Sequence, residues 1–150
     1  MTLFCDTSAL AKRYVAEVGS LWMEQLLAPE AGNDVVISRI TVVELKSALA
    51  RRERGGSLTL ENATIALQRL WLHCAHDYLI VRLQDSHYAK AELLATQYGL
   101  RAYDAMQLAV GVAVQLQFKP QGYLFVSADD ELNKAASAEG LTVENPNHHP

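Results

Sequence analysis

The stretch TLFCDTSALAKRY, residues 2–14, joins a short apolar run to a helical segment through three polar residues. Thr2 to Cys5 have the length and composition of a buried β-strand, and Asp6 ends that strand. Asp, Ser and Thr are preferred where a helix begins, so the segment from Ser8 to Ala16 is predicted to be helical. A strand that leads directly into a helix is the repeating unit of α/β folds.

The same alternation continues along the whole chain. Short strands are predicted at residues 2–5, 35–37, 78–81 and 123–126, with an edge strand at 141–143. Helices are predicted at 8–16, 21–27, 41–54, 59–74, 85–98, 102–118 (stopped by Pro120) and 131–138. Because strands separated by helices favour parallel pairing, we predict a three-layer α/β/α sandwich with a mainly parallel sheet of four or five strands. One domain is expected over residues 1–146, followed by a flexible tail at 147–150.

The composition is that of one globular domain. Of 150 residues, 50% are hydrophobic and 20% are charged, which disfavours disorder and fibrous repeats. The net charge of −4 disfavours a protein whose affinity comes from an extended basic surface. Two cysteines are too few for a disulfide framework and fit a reducing cytoplasm, and no apolar stretch is long enough for a membrane span. No glycine pair has the spacing of a dinucleotide fingerprint, so no nucleotide cofactor is expected.

Acidic residues follow two of the predicted strands. Asp6 comes directly after the first strand, and Asp129 and Asp130 come shortly after the strand that ends at Val126. Ligands of parallel sheets bind beyond the carboxyl ends of the strands, so these carboxylates are predicted to converge. Capping of the helices that follow is the alternative role for each of them.

Asp104 is the only charged residue in AYDAMQLAVGVAVQL, residues 102–116. This segment is apolar nearly all round, which predicts a buried helix, and an ionised carboxylate there is costly unless it is paired or bound to a cation. Arg101 is the alternative partner. Glu44 lies on the flank of the third predicted helix, where a half-formed capping box with Thr41 is the alternative.

Several carboxylates without a dense histidine or cysteine cluster indicate a hard divalent cation, because oxygen ligands suit Mg²⁺ or Mn²⁺. The competing metal site is a zinc site at His73, Cys74 and His76. The two histidines are one helical turn apart, but nothing else in the chain has the spacing of a zinc site.

Four segments, in register along the chain, carry a resemblance to a known family. They read FCDTSALAKRY (4–14), ISRITVVELKSALARR (37–52), GLRAYDAMQLAV (99–110) and LFVSADDELNKAASAEGL (124–141), followed by Asn145-Pro146. Together they resemble PIN-domain ribonucleases, specifically the VapC-type toxins of bacterial toxin–antitoxin pairs. The resemblance extends from Met1 to Pro146.

The resemblance implies a metal-dependent endoribonuclease whose products carry a 5′-phosphate and a 3′-hydroxyl. The catalytic and metal-binding quartet falls on Asp6, Glu44, Asp104 and Asp129, with Mg²⁺ or Mn²⁺ as cofactor. The residues expected to hydrogen-bond the carboxylates or water, or to lie beside them, are Thr7, Ser8, Ser127 and Asp130. The choice between Asp129 and Asp130 as fourth ligand stays open. The family also implies a homodimer and a cognate antitoxin protein as partner.

An RNA substrate requires local positive charge in a protein of this net charge. Cations are concentrated in helices beside the predicted site, namely Lys12, Arg13, Arg39, Lys46, Arg51, Arg52 and Arg54. We expect RNA contact from at least one of Lys12, Arg13 and Arg51, and a solvated face for Arg52 and Arg54.

Three other functions are weighed against the toxin. A phosphotransfer enzyme with Asp6 as nucleophile is disfavoured, because Ser8 stands where haloacid-dehalogenase-like enzymes have a second Asp. A PIN-domain nuclease that is not a toxin is the second alternative. A non-catalytic RNA or protein interaction module is the third, and the presence of all four acids disfavours it.

Overall fold

The computed structural model describes residues 1–118 and 122–150. Its strands are β1 (Thr2–Cys5), β2 (Asp34–Ser38), β3 (Tyr78–Val81), β4 (Tyr123–Val126) and β5 (Val143–Glu144). Its α-helices are α1 (Thr7–Leu10), α2 (Ser20–Leu26), α3 (Arg39–Arg54), α4 (Leu60–His76), α5 (Asp85–Tyr98), α6 (Ala102–Phe118) and α7 (Asp130–Ala138). Within these ranges, no helix combines the length and the apolar character of a membrane span. Pro120, predicted to stop α6, lies outside the described residues.

The strands form one sheet in the order β3-β2-β1-β4-β5, and every pair of neighbours is parallel. β1 lies at the centre, where Leu3 is level with Val35 on one side and with Leu124 on the other. All four residues of β1 are buried. The prediction of a parallel sheet is confirmed, with five strands.

Two hydrophobic cores cover the two faces of the sheet. Leu3 and Cys5 point into the core formed with α1 to α4, and Phe4 points into the core formed with α5 to α7. This alternation follows from the pleat of a strand, which sends successive side chains to opposite faces. The three-layer α/β/α architecture is therefore confirmed.

On the second face, α6 packs closely against β4 at Gly111. A Cβ atom at this position would lie 2.7 Å from the Phe125 ring, and the Tyr123 hydroxyl donates a 2.8 Å hydrogen bond to the Gly111 carbonyl. The Phe125 ring in turn stacks on Phe4, with ring centroids 5.5 Å apart. Only a residue without a side chain lets the helix come this near to the sheet.

Several predicted boundaries differ from the structure by one or two residues. The differences at the first helix and at the last strand have identifiable reasons. The first helix is α-helical only to Leu10 and then tightens into a 3₁₀ turn at Ala11–Arg13, which places the Arg13 guanidinium 2.8 Å from the Tyr78 hydroxyl. Leu141, predicted to begin the last strand, instead belongs to the turn that follows α7: its N–H donates a 3.0 Å hydrogen bond to the Ala136 carbonyl and its side chain is buried. β5 therefore begins at Val143.

The C-terminal residues contact α2, and the flexible tail at residues 147–150 stays a prediction. The His149 ring stacks on Trp22 with ring centroids 4.2 Å apart, and its Nε2 lies 3.0 Å from Glu144 Oε1. The Pro146 carbonyl approaches Gly19 so closely that a Cβ atom there would collide with it. This contact fixes the start of α2 against the end of the chain.

Candidate active site

The carboxyl ends of β1 and β4 bring the first and last predicted site segments together. Cys5 is level with Val126, so Asp6 and Ser127 are the next residues on adjacent parallel strands. The Asp6 N–H confirms this register by donating a 3.1 Å hydrogen bond to the Val126 carbonyl. Residues separated by more than 100 positions in sequence thus form one edge.

Asp6 is buried, and its carboxylate accepts hydrogen bonds from the residues that follow it. Oδ1 accepts hydrogen bonds from the Ala9 N–H (2.9 Å) and from the Ser8 hydroxyl (2.8 Å). Burial raises the pKa of Asp6 to about 7, although these hydrogen bonds act in the opposite direction. Asp6 therefore caps α1, which is the alternative role considered for it. It also places a carboxyl group with a raised pKa at the end of β1.

The hydroxyls of Ser8 and Ser127 connect the two strand ends. Ser8 Oγ accepts a 2.8 Å hydrogen bond from the Ala128 N–H and lies 3.3 Å from Ser127 Oγ. Ser127 Oγ accepts a 3.1 Å hydrogen bond from the Asp129 N–H. The two serines hold the turn after β4 against the turn after β1, which is where hydroxyls were expected.

Asp129 and Asp130 point in different directions. Asp129 caps α7 by accepting from the Leu132 N–H at 2.9 Å, and it is close enough to Asp104 to raise the pKa of that carboxyl. Asp130 accepts a 2.8 Å hydrogen bond from Asn145 and lies with Glu144 beside the C-terminal segment. Of these two acids, Asp129 is therefore the one whose charge acts on Asp104.

Asp104 lies in the first turn of α6 and is half-buried. Burial raises its pKa, and the negative charges of Asp129 and Glu44 raise it further, whereas Arg101 has the smallest effect and lowers it. Within the part of the chain that the structure describes, Arg101 forms no ion pair. Burial and the charges of Asp129 and Glu44, rather than pairing with Arg101, therefore determine the direction in which the pKa of Asp104 moves.

Glu44 is held by a hydrogen-bond network that the sequence did not reveal. The Thr7 hydroxyl donates to Glu44 Oε1 at 2.8 Å, and the Gln107 amide nitrogen donates to the same oxygen at 2.8 Å and to Thr7 Oγ1 at 2.9 Å. Gln107 is 1% exposed and its carbonyl accepts from the Thr41 hydroxyl at 3.2 Å. The sequence feature that could have identified Gln107 is its place as a polar residue in a largely apolar helix, one turn after Asp104.

The capping-box alternative for Glu44 is not formed. Ser38 caps α3 by accepting from the Ile40 N–H, so Thr41 lies inside the helix with its hydroxyl committed to Gln107. Glu44 is therefore free of a capping role and turns toward Thr7 on the neighbouring helix.

Two of the three residues among which at least one RNA contact was expected are buried. Lys12 is 5% exposed and pairs with Glu17 at 3.3 Å, and Arg13 is 8% exposed and bonds Tyr78. Both side chains are committed inside the protein and are not available to RNA. Arg51 is exposed and lines a cavity of about 290 Å³ that also includes Thr7 and Glu44.

The zinc alternative finds no support in the geometry. Burial lowers the pKa of His73 to about 4, and its Nδ1 lies 2.8 Å from the Tyr14 hydroxyl, with which it shares a buried network. His76 is exposed. Over residues 1–118 and 122–150, no three His, Cys, Asp or Glu side chains form a ready-made metal site.

The donor chemistry of the acidic edge nevertheless fits a hard divalent cation. Mg²⁺ keeps several of its waters and needs only one or two direct carboxylates in addition to substrate phosphates. Asp104 with its neighbours Asp129 and Glu44 supplies such oxygens, and their mutual repulsion is what a cation relieves. No nitrogen or sulfur ligand belongs to this set.

Comparisons with known proteins agree with this fold. Residues 3–138 match the PIN domain family. The structure is similar to FitAcB from Neisseria gonorrhoeae, with 21% identity and a TM-score of 0.64 over 97% of this chain and 99% of that one. It is similar to VapC20 from Mycobacterium tuberculosis, a sarcin-ricin loop cleaving toxin (16% identity, TM-score 0.63, 89% and 94% of the two chains). A toxin–antitoxin complex from Klebsiella pneumoniae is also similar, with 16% identity and a TM-score of 0.62 over 97% of this chain and 98% of that one. No curated protein matches the chain in sequence.

Proposed function

Because this chain belongs to the PIN domain family, we propose that it is a metal-dependent endoribonuclease and the toxin component of a toxin–antitoxin pair. The observation that carries the proposal is the raised pKa of Asp104. Its causes, after burial, are the charges of Asp129 and Glu44, so three acids from three separate elements act on one region. Crowded, partly buried carboxylates at a strand edge are costly for a purely structural role.

Asp6, Glu44, Asp104 and Asp129 are the residues we assign to a divalent cation, directly or through water. A bound Mg²⁺ or Mn²⁺ supplies charge neutralisation for the phosphodiester and lowers the pKa of an attacking water. The expected products carry a 5′-phosphate and a 3′-hydroxyl.

The remaining residues of the site orient the carboxylates. Thr7 and Gln107 hold one oxygen of Glu44, which leaves Oε2 free to turn toward the ligand. Ser8 and Ala9 fix the Asp6 carboxyl at the end of β1. Such fixed orientation lowers the entropy lost when a substrate binds.

The experiment that tests the proposal is cleavage of a structured RNA by the purified chain, free of any antitoxin. We expect cleavage with Mg²⁺ or Mn²⁺ and none in EDTA. Ca²⁺ should support little cleavage, because it takes more ligands at longer distances and positions water less well. Undiminished cleavage in EDTA would refute the metal mechanism.

A stability measurement separates loss of the metal from loss of the fold. A domain of this size buries enough surface to fold without a metal, so the unfolding transition in EDTA should stay cooperative. If EDTA unfolded the chain, the cation would be structural and the assignment of the acids would have to change.

The partner proposals rest on surfaces outside the acidic edge. An antitoxin protein is supported by the likeness to the Klebsiella toxin–antitoxin complex, and a homodimer by exposed apolar side chains. These lie on α4 (Leu60, Trp71) and along α5 and α6 (Leu93, Tyr103). Exposed apolar patches of this kind are typical of interaction sites. The mass of the purified chain in solution tests the dimer.

A cytoplasmic site of action belongs to the same proposal. Cys5 and Cys74 are both free thiols, and Cys5 is buried. Free cysteines of this kind fit a reducing compartment. Localisation of the chain by cell fractionation tests this part of the proposal.

A further inference from the structure

Two exposed arginines lie at the carboxyl edge of the sheet, on the opposite side of Asp6 from Asp129. Ser38 is level with Val81 in the pairing of β2 with β3, and the next residue on each strand is an arginine, Arg39 and Arg82. With Ile80, the two arginines line a cavity of about 540 Å³. The edge therefore continues from an acidic part into a basic part.

The register of the strands sets how far this cavity lies from the acids. Phe4 is level with Val36, so Asp6 comes level with Ser38, one residue before Arg39. Neighbouring strands are about 4.8 Å apart, which places the backbone of Arg82, two strands away, roughly 10 Å from that of Asp6. A strand of RNA bound at the acids spans this distance with a few nucleotides.

Within residues 1–118 and 122–150, no acidic side chain pairs with the positive charge at this place. Lys12, Arg52, Arg69, Lys90 and Lys134 each form an ion pair, whereas no ion pair of Arg39 or Arg82 exists among the described residues. Lys46, two turns along α3 from Arg39, adds a third exposed cation. Burial raises the pKa of Cys74, and Lys46 and Arg39 both oppose that rise, so the two cations act on the same region.

We propose that Arg39 and Arg82, with Lys46 beside them, bind backbone phosphates of the RNA on one side of the bond to be cut, which rests on the ribonuclease function proposed above. A guanidinium binds a phosphate through two parallel hydrogen bonds, and two guanidinia at neighbouring strand ends suit consecutive phosphates. The acids repel RNA, and a basic patch next to them offsets that repulsion. These residues would make the RNA contacts that were expected of Lys12 and Arg13.

An acidic protein segment is the other ligand that such a patch could take. The position of the patch favours RNA, because the two arginines and Asp6 follow adjacent strands at the same edge of the sheet. An RNA strand bound at the acids can therefore extend over the patch.

The test measures binding of a fluorescent 12-nucleotide single-stranded RNA by anisotropy in EDTA, at several salt concentrations. The variant is Arg39→Gln with Arg82→Gln. The matched control is Arg54→Gln, which changes an exposed charge in the same helix, about 22 Å from Arg39. Thermal unfolding of each variant verifies that the exposed substitutions leave the fold intact.

We expect the double variant to raise the dissociation constant about tenfold and to lower the salt slope by about 1.4, since each phosphate contact on a single strand contributes about 0.7. Arg54→Gln should change neither quantity. An unchanged salt slope in the double variant overturns the proposal. If the slope is unchanged and the double variant binds a polyglutamate peptide more weakly than the wild type does, the patch is assigned to an acidic protein. Cleavage by the wild-type chain in Mg²⁺ separates this failure from failure of the ribonuclease proposal itself.

Discussion

The Gln107 amide nitrogen donates a 2.8 Å hydrogen bond to Oε1 of Glu44, which joins α6 to α3 beside the acidic edge. The same amide bonds the hydroxyls of Thr7 and Thr41, so a single buried side chain connects three elements. Gln107 carries no charge and would not be chosen as a catalytic residue. Its role is to hold Glu44 in one orientation.

Gln107→Met should leave Glu44 and two hydroxyls without their partner at nearly unchanged side-chain volume. We expect a loss of about 1–3 kcal/mol in the free energy of unfolding, because buried polar groups lose their hydrogen bonds. Cleavage should slow about tenfold in Mg²⁺, with a higher Mg²⁺ concentration needed for half-maximal rate. Urea unfolding and a metal titration of the cleavage rate measure these effects.

The control for Gln107→Met is Gln115→Met in the same helix, whose amide bonds the exposed Gly140 carbonyl at 3.2 Å. It should change the stability by less than about 0.5 kcal/mol and leave the metal titration unchanged. A folded Gln107→Met protein with the wild-type metal requirement would show that the network is structural only.

Asp104→Asn should abolish cleavage, with a loss of at least about 100-fold, while the protein stays folded. Removing one of three crowded carboxylates relieves repulsion, so the melting temperature in EDTA should be equal to or above that of the wild type. Asp85→Asn, an exposed acid in the first turn of α5, is the matched control and should retain full cleavage. Full activity in Asp104→Asn would remove this residue from the site.

Two further variants separate the carboxylate site from the zinc alternative, which predicts that both variants lose cleavage. Cys74→Ser and His76→Ala should each leave RNA cleavage unchanged, because neither side chain belongs to the oxygen-ligand set. Loss of cleavage in either folded variant would reopen the assignment of the metal ligands.

The contribution of Asp6 to the stability of the metal-free protein should fall as the pH rises from about 4 to 7, against the opposite contribution of His73, whose pKa burial lowers to about 4. Burial raises the pKa of Asp6 from 3.8 to about 7 in the folded protein. In this range Asp6 is ionised in the unfolded chain and protonated in the folded one, so unfolding releases a proton and becomes easier as the pH rises. Above pH 7 the full cost, on the order of 4 kcal/mol, is present.

Asp6→Asn removes this titration and keeps an oxygen that can cap α1. In urea unfolding in EDTA, the stability difference between variant and wild type should therefore be small at pH 4.5 and should grow toward pH 8 in favour of the variant. A constant difference across this range would contradict the raised pKa. The folded variant should not cleave RNA.

Gly111→Ala should destabilise the protein by about 1–2 kcal/mol even though alanine favours a helix more than glycine. The added Cβ would lie 2.7 Å from the Phe125 ring, which is fully buried. Thermal unfolding measures the loss. A second change, Phe125→Leu, should recover part of it in the double variant, and strict additivity of the two effects would argue against a steric cause.

The strands β1, β3 and β4 have the boundaries that the sequence predicts, because each is a short apolar run that is followed by a polar residue. Asp6, Asp104 and Asp129 were also recognisable, two from their place after a strand and one as a charge in an apolar helix. These features depend on neighbours in sequence, and a local pattern captures them.

The features that the sequence did not reveal depend on residues far away along the chain. The burial of Arg13 follows from Tyr78, 65 positions later, and the importance of Gln107 follows from Glu44, 63 positions earlier. No local pattern separates such side chains from exposed ones. The same holds for the basic patch, since Arg39 and Arg82 become neighbours only through the register of β2 with β3.

The central position of β1 has a consequence for the timing of activity. β1 pairs with β2 across 32 residues, from Thr2 to Asp34, but with β4 across 121 residues, from Thr2 to Tyr123. Contacts that span so much chain form late, because closing a long loop is slow. A ribosome therefore produces Asp6 and Glu44 well before Asp104 and Asp129, and the nascent chain holds only half of the acidic edge. Because the acidic edge is complete only when β4 lies against β1, we expect a newly made molecule to be unable to cut RNA before that docking step.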